Sequence, residues 1–414
     1  VTLPSSKNIT LDLAGHTLDF SQEFVNNGTL TIDDSTEQKK GQINCIVTNC
    51  INNSGSLTIN NGLYTASNGI LYNSGTTTIE NGTFEIESAD TNNSYAITIS
   101  SSTSAKIIMN NGTINVTKTA SGVAGGLFIG YGTFEFNGGD INIDGEGESY
   151  GIRADTYTGG SLAGTVIFTD GNIIVDTPKT AYGIRAGSVT MSGGNIDAKS
   201  TGTYGVYGIN YNSSTITGGL IEISSQKVSS SSDPGVYALY GNSLTINDNP
   251  IIKSSHVCVY GNSGTVTING GTLTCDTFGV VAENKIRING GTINSVLDGV
   301  YNYGLARYYK YPGTIITGGT IISSESNGVY FYSQSDVLTI EGTETTPCIE
   351  GATNGVYVDL GSATITKANI VGKTLAGVYV NSTLNIDNTI SQIEGKIDEK
   401  CKTEVEKTEL KALL

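Results

Sequence analysis

The feature that most constrains this chain is a short motif that returns along nearly its whole length. Gly-(Val/Ile/Leu)-X occurs at Gly69-Ile-Leu, Gly126-Leu-Phe, Gly151-Ile-Arg, Gly183-Ile-Arg, Gly205-Val-Tyr and Gly235-Val-Tyr. It continues at Gly279-Val-Val, Gly299-Val-Tyr, Gly328-Val-Tyr, Gly355-Val-Tyr and Gly377-Val-Tyr, with degenerate copies at Ala96-Ile-Thr and His256-Val-Cys; copies lie 20 to 32 residues apart. Between them runs a strand, a glycine corner and another strand, as in Leu57-Thr-Ile-Asn-Asn-Gly-Leu and Val266-Thr-Ile-Asn-Gly-Gly-Thr-Leu. Each repeat therefore holds three short strands. Such a unit cannot bury its apolar positions alone and must stack on its neighbours. Same-direction coils stacked about 4.8 Å apart form three parallel sheets. The spacing is too short for propeller blades of about 40–45 residues, and no hexapeptide period of a left-handed helix is present. The expected fold is all-β, a right-handed single-stranded parallel β-helix of about 13–15 coils over residues 1–392.

Composition agrees with a chain of many strands and corners. Glycine occurs 54 times in 414 residues, tryptophan never, and charged residues make up only 14%, while β-branched and turn-forming residues fill the remainder. The net charge of −16 argues against nucleic acid as a partner. No apolar run is long enough for a helix to cross a bilayer, so membrane insertion is not expected. Six cysteines are too few for a disulfide scaffold. Cys45 and Cys50 are close enough to pair, whereas Cys258, Cys275, Cys348 and Cys401 read as small buried hydrophobes. From Ile397 to Leu414 the pattern changes to Lys and Glu with Ile397, Cys401 and Val405 at every fourth position. Residues 393–414 are expected to form a capping helix or a linker.

Alternation assigns faces. Leu57/Ile59, Phe134/Phe136, Val166/Phe168, Val266/Ile268 and Ile286/Ile288 should point inward on the first strand. Phe84/Ile86, Ile114/Val116, Ile141/Ile143 and Ile221/Ile223 should do so on the second. On the third strand the residue after glycine should point in and the next one out. That rule collects one outward column: Leu71, Thr98, Phe128, Arg153, Arg185, Tyr207, Tyr237, Cys258, Val281, Tyr301, Tyr330, Tyr357 and Tyr379. Tyrosines can stack on sugar C–H faces while their hydroxyls bond; equally, they can stack on one another. From Tyr301 the chain runs through Tyr303, Arg307, Tyr308, Tyr309, Lys310 and Tyr311, five tyrosines and two cations within eleven residues. A loop of that composition suits a glycan or a protein partner, or it packs over the column. Arg153 and Arg185 fall in adjacent coils, where Asp155 relieves their repulsion or an acidic polysaccharide bridges them.

The signs of an enzyme are few. The two histidines, His16 and His256, are far apart, and no zinc spacing, nucleophile elbow or phosphate loop is present. The outward acids Glu85, Asp197 and Glu222 do not look clustered in neighbouring coils as a glycosidase pair would be. No EF-hand or nonapeptide calcium repeat occurs, although carboxylates and corner carbonyls are able to hold calcium.

The opening Lys7-Asn-Ile-Thr-Leu-Asp-Leu-Ala-Gly-His-Thr-Leu, followed by the Thr-Ile-X-Gly-Gly-Thr-Ile and Gly-Val-Tyr repeats, resembles bacterial and archaeal surface proteins of the pectate-lyase-like β-helix superfamily. The resemblance runs to about Ile390. It implies secretion and attachment to the cell envelope. With few signs of an enzyme, the expected function is a non-catalytic, adhesin-like surface protein that binds polysaccharide or a host or cell-surface glycan, with no cofactor other than calcium. The same resemblance also admits a calcium-assisted polysaccharide lyase or other glycan-active enzyme, and a structural stalk is the third reading.

Overall fold

In the computed structural model of the chain, residues 1–396 are described apart from 101, 157–159, 228–234, 304–312, 344–345, 382 and 387–391. The expected capping helix from Ile397 onward lies outside the described residues, and strand Gln392–Lys396 carries the β pattern past residue 392. Among the described residues there is no helix, and the strand pairings are parallel except for one isolated antiparallel bridge between Asp155 and Leu162. The chain is a right-handed parallel β-helix. It divides into two compact units, residues 1–212 with 221–235, and residues 213–220 with 236–414.

In the first unit the second strands follow one another in parallel register: Thr17–Phe20, Gln42–Cys45, Leu63–Ala66, Thr83–Ser88, Thr113–Lys118, Asp140–Gly145, Asn172–Thr177 and Asn195–Ser200. The second unit repeats this from Ile251–Ser254 through Thr272–Cys275, Thr292–Ser295, Thr320–Ser323 and Cys348–Gly351 to Asn369–Ala376. Sixteen second strands are described; the opening ones belong to coils without a Gly-Val-X copy and add to the count that the motif supplies. The three expected sheets are two, because third and first strands belong to the same sheet: they meet at a bend, and in strand Ala181–Met191 they run together as eleven residues, while the second strands form the other sheet.

The inward faces are those the alternation assigns. Leu57, Ile59, Phe134, Phe136, Val166 and Phe168 are almost wholly buried on the first strand, as are Phe84, Ile86, Ile114, Val116, Ile141 and Ile143 on the second. Aromatic side chains stack up the core from coil to coil, with Phe136 and Phe168 ring centroids 5.1 Å apart and Tyr64 and Phe84 4.9 Å apart. Such pairs add to area burial because offset stacking suits the ring quadrupoles. Some polar residues enter the interior as ladders. Asn26 donates to Asn53 at 2.7 Å and Asn53 donates to Asn73 at 2.8 Å, all three buried, so each amide satisfies the next.

Two cysteine pairs are bonded. Cys45–Cys50 form a disulfide, and so do Cys258–Cys275, with Cα atoms 5.6 Å apart. The second pair corrects the reading of Cys258 and Cys275 as isolated hydrophobes. Both are buried, so Cys258 also leaves the outward column; the sequence separation of 17 hid a contact that exists only between neighbouring strands. Cys348 is free.

Candidate functional site

The third-strand register splits the expected column into several pieces. In the first unit Tyr72, Thr98, Phe128, Arg153 and Arg185 are in register, while Leu71 faces inward and is fully buried. The motif at Gly69 is therefore offset by one residue. A larger offset removes Tyr207 from the arginine column. Its ring stacks on Tyr182 at 4.7 Å, and Tyr182 stacks on Tyr150 at the same distance. The cause lies in the backbone: a Cβ on Gly183 would meet the Gly208 carbonyl oxygen at 2.6 Å, and one on Gly151 would meet that of Gly183. Gly208-Ile-Asn, not Gly205-Val-Tyr, thus stands beside Gly183-Ile-Arg. Tyr237 is likewise displaced. It pairs with Val257 and is 4% exposed, and Tyr240 takes the outward position beside Tyr260.

Arg153 and Arg185 converge on one buried carboxylate. Arg153 Nε donates to Asp155 Oδ2 at 2.9 Å, Arg185 Nη1 lies 3.2 Å from the same oxygen, and the Asp155 side chain is 1% exposed. Arg153 also donates to the Tyr95 hydroxyl at 3.0 Å and lies over the Phe128 and Tyr150 rings. Burial pushes Tyr95 up to about 12 despite the guanidinium beside it. Arg185 donates to the Gly160 carbonyl at 2.9 Å. The excursion of the chain around Asp155 and Leu162 thus bears on the arginine pair, and the repulsion between the two cations is met internally.

In the second unit the outward tyrosines form a row. Tyr301, Tyr330, Tyr357 and Tyr379 are in register, with centroids 5.0, 5.3 and 4.8 Å apart along the row. The rings cover one another's faces, so edges and hydroxyls, not open ring faces, meet solvent. Tyr303 stacks on Tyr301 at 5.3 Å. Hydroxyls are tied to acids: Tyr260 donates to Glu283 at 2.8 Å and Tyr330 to Asp359 at 3.0 Å. Arg307, Tyr308, Tyr309, Lys310 and Tyr311 lie outside the described residues.

A surface that the motif reading passed over is the outer face of the second strands in the first unit. Two columns of side chains leave it in register: Glu85, Asn115, Asn142, Ile174, Asp197, and beside them Glu87, Thr117, Asp144, Asp176, Lys199. From Glu85 and Glu87 to Ile174 and Asp176 they line an open groove of about 430 Å³. A second hollow of about 470 Å³ adjoins it at Glu85 and Glu87 and reaches Asn44, Ile46 and Thr65. Asn142 donates to Asn115 at 3.0 Å and Thr65 to Asn44 at 3.3 Å, leaving further donors and acceptors along the line. Ile46 and Ile174 are exposed at 61% and 45%, giving apolar patches within a polar groove. The signal was present in the sequence: these second strands are six residues long, which makes room for a second outward position at Glu87, Thr117 and Asp144.

Asp197 and Glu222 are also closer in space than their spacing suggested. Burial first, and the Glu222 carboxylate next, raise the Asp197 carboxyl above its ordinary range, with Lys199 opposing and Asp176 adding. Lys199 lies 3.6 Å from Asp176. Among the described residues no three His, Cys, Asp or Glu side chains come together to hold a metal. Comparison of the chain with family models, with curated proteins and with solved structures returns no match.

Proposed function

We propose that this chain is a non-catalytic, cell-exterior binder of extended glycan, adhesin-like in the manner of the pectate-lyase-like surface proteins it resembles, and that the glycan lies along the second-strand groove. The observation that carries this reading is the in-register polar ladder Glu85–Asn115–Asn142 beside Glu87–Thr117–Asp144. A polysaccharide repeats its hydroxyls along a line, and a solenoid is a scaffold that repeats donors and acceptors along a line to match. The exposed isoleucines suit sugar C–H faces. Two disulfides support an oxidising, extracytoplasmic setting. The arginine pair supports binding of an acidic polysaccharide less well, because Asp155 already neutralises it.

The test is a glycan array followed by calorimetric titration of any hit. In the double variant Asn115→Ala/Asn142→Ala, loss of two hydrogen bonds of about 1 kcal/mol each should weaken binding about thirtyfold. Unchanged binding in that variant, with loss in Tyr308→Ala or Tyr330→Ala instead, moves the ligand to the tyrosine row and its loop. A blank array overturns the binding reading in favour of a structural spacer.

A second reading, a glycan-active enzyme, is favoured by Asp197. Burial, and next the Glu222 carboxylate, raise the Asp197 carboxyl above its ordinary range, which is the direction in which a general acid is tuned beside a second carboxylate. Release of reducing ends from a bound oligosaccharide, abolished in Asp197→Asn, would establish it; ultraviolet-absorbing unsaturated product would instead point to a lyase.

A further inference from the structure

The tyrosines of the second unit make up more than a row. Tyr237 and Tyr240 have ring centroids 5.1 Å apart, and Tyr240 and Tyr260 5.3 Å. The next coil carries Val281 at the outward position, which would break the series. Tyr303 bridges that gap. Its hydroxyl lies within hydrogen-bond reach of the Tyr260 hydroxyl and of Glu283, which projects from the coil of the valine; with Tyr260 donating to Glu283, Tyr303 donates its one hydrogen to Tyr260. From Tyr303 the contacts resume through Tyr301, Tyr330, Tyr357 and Tyr379 at 4.8–5.3 Å. Eight phenols are therefore in unbroken contact over six coil steps, about 29 Å at the usual strand spacing. Two of the contact points have a carboxylate bonded to the phenol: Glu283 at Tyr260 and Tyr303, and Asp359 at Tyr330.

Packing requires ring against ring, and phenylalanine would meet that need at less desolvation cost. It does not require an oxidisable phenol at each of these positions, nor a carboxylate at the point where the row is bridged. We propose that the tyrosine series of the second unit is a relay for oxidising equivalents, with Glu283 and Asp359 as its proton acceptors.

The steps balance as follows. A one-electron oxidant of the radical or high-valent metal-complex class takes an electron from Tyr260 and is reduced by one electron. The Tyr260 O–H bond breaks and its proton passes to Glu283, leaving a neutral phenoxyl radical. Tyr303 then gives its hydroxyl hydrogen atom across the shared hydrogen bond, so the Tyr260 O–H re-forms and the radical rests on Tyr303. Next, Tyr330 loses an electron through the intervening Tyr301 ring and its proton to Asp359. Tyr303 gains that electron and recovers a proton from Glu283. The net result is movement of one radical from Tyr303 to Tyr330 and one proton from Glu283 to Asp359. Burial first, then the Tyr303 hydroxyl and Glu283 at Tyr260 and Asp359 at Tyr330, raise these phenols above their ordinary value, so each keeps its proton until it is oxidised and the proton must leave with the electron. The carboxylates supply that base.

The experiment oxidises the full chain with photogenerated tris(bipyridine)ruthenium(III) and maps nitroso spin-trap adducts on each tyrosine by mass spectrometry. In a relay, adducts collect at a few of the eight tyrosines regardless of how exposed each one is. Tyr330→Phe keeps the ring stack but removes the carrier, so adducts at Tyr357 and Tyr379 should become independent of those at Tyr260 and Tyr303. Glu283→Gln should slow radical formation at Tyr260 and Tyr303 several-fold, and deuterated solvent should slow it in the wild type but not further in the variant. An adduct pattern that follows exposure alone and is unmoved by both substitutions overturns the relay. Circular dichroism of each variant separates a lost relay from a lost fold.

Discussion

Asp155 takes the Arg185 guanidinium at 3.2 Å through Oδ2, while its own Oδ1 and the Arg185 Nε are buried without a hydrogen-bond partner. One acid therefore holds two cations with half of its accepting capacity. Removing it leaves Arg153 and Arg185, whose side chains are 23% and 20% exposed, facing each other in a partly desolvated site. Asp155→Ala should lower stability by about 2–3 kcal/mol, discounted from the fully buried case because the arginines keep some water. Denaturant unfolding measures this. A loss under about 0.5 kcal/mol, the range of a neutral surface change, would mean the carboxylate contributes nothing beyond filling space.

The Cys258–Cys275 bond closes a loop with a sequence separation of 17. Chain-entropy arguments give a closure of that length about 3 kcal/mol. The double variant Cys258→Ser/Cys275→Ser should show that loss relative to the wild type under oxidising conditions, and the two should converge when both are measured with reductant, which opens Cys45–Cys50 in each. Equal stability of variant and oxidised wild type would exclude the bond from solution.

Acid should act on the first coils through Asp34. Burial alone would raise this carboxyl, yet bonds from the Gly41, Thr36 and Gly15 N–H groups and the Thr36 hydroxyl hold it down at about 2. Because the folded value lies below the unfolded one, the stabilisation is present above about pH 4 and is lost as pH falls toward about 2. Hydrogen exchange of the Gly15 and Gly41 amides should accelerate, after correction for intrinsic rate, across that window. Asp34→Asn should remove the pH step and leave those amides weakly protected throughout.

Asp298 shifts the opposite way. Burial raises its carboxyl, and the bonds from Ser326 and Asn327 only partly offset this. Its folded value lies above the unfolded one, so its contribution is favourable at low pH and declines as pH rises through the shifted range. Asp298→Asn keeps an acceptor oxygen without the buried charge. The melting temperature of this variant should be equal to or a few degrees above the wild type at neutral pH and below it near pH 3; a lower value at neutral pH would show that the charge itself is needed.

Within the tyrosine row, Tyr357 stacks on both Tyr330 and Tyr379. Tyr357→Phe should change stability by less than about 0.5 kcal/mol, whereas Tyr357→Ala should lose about 2 kcal/mol from two aromatic pairs of about 1 kcal/mol each. Equal effects from the two substitutions would assign the contribution to the hydroxyl.

The inward face was legible from the sequence alone. Leu57 and Ile59, or Phe134 and Phe136, are two residues apart on a strand that alternates, and a period of two is a property of the local chain. The three-strand repeat, the glycine corners and the parallel solenoid follow from the same local pattern, because no other arrangement buries those faces. The tie between Arg153 and Asp155 was within reach for the same reason, being only two residues long. What only the tertiary structure decided was register between coils. Copies of the motif are 20 to 32 residues apart, so the loops between them set no alignment; the strand around Tyr207 even offers two glycine motifs, at Gly205 and Gly208. The choice between them falls to backbone contact, Gly183 against Gly208, which no single strand contains. That choice moved Tyr207 out of the column; contacts between strands likewise displaced Tyr237, brought Tyr240 and Tyr303 into the row, paired Cys258 with Cys275 and set Asp197 within the influence of Glu222.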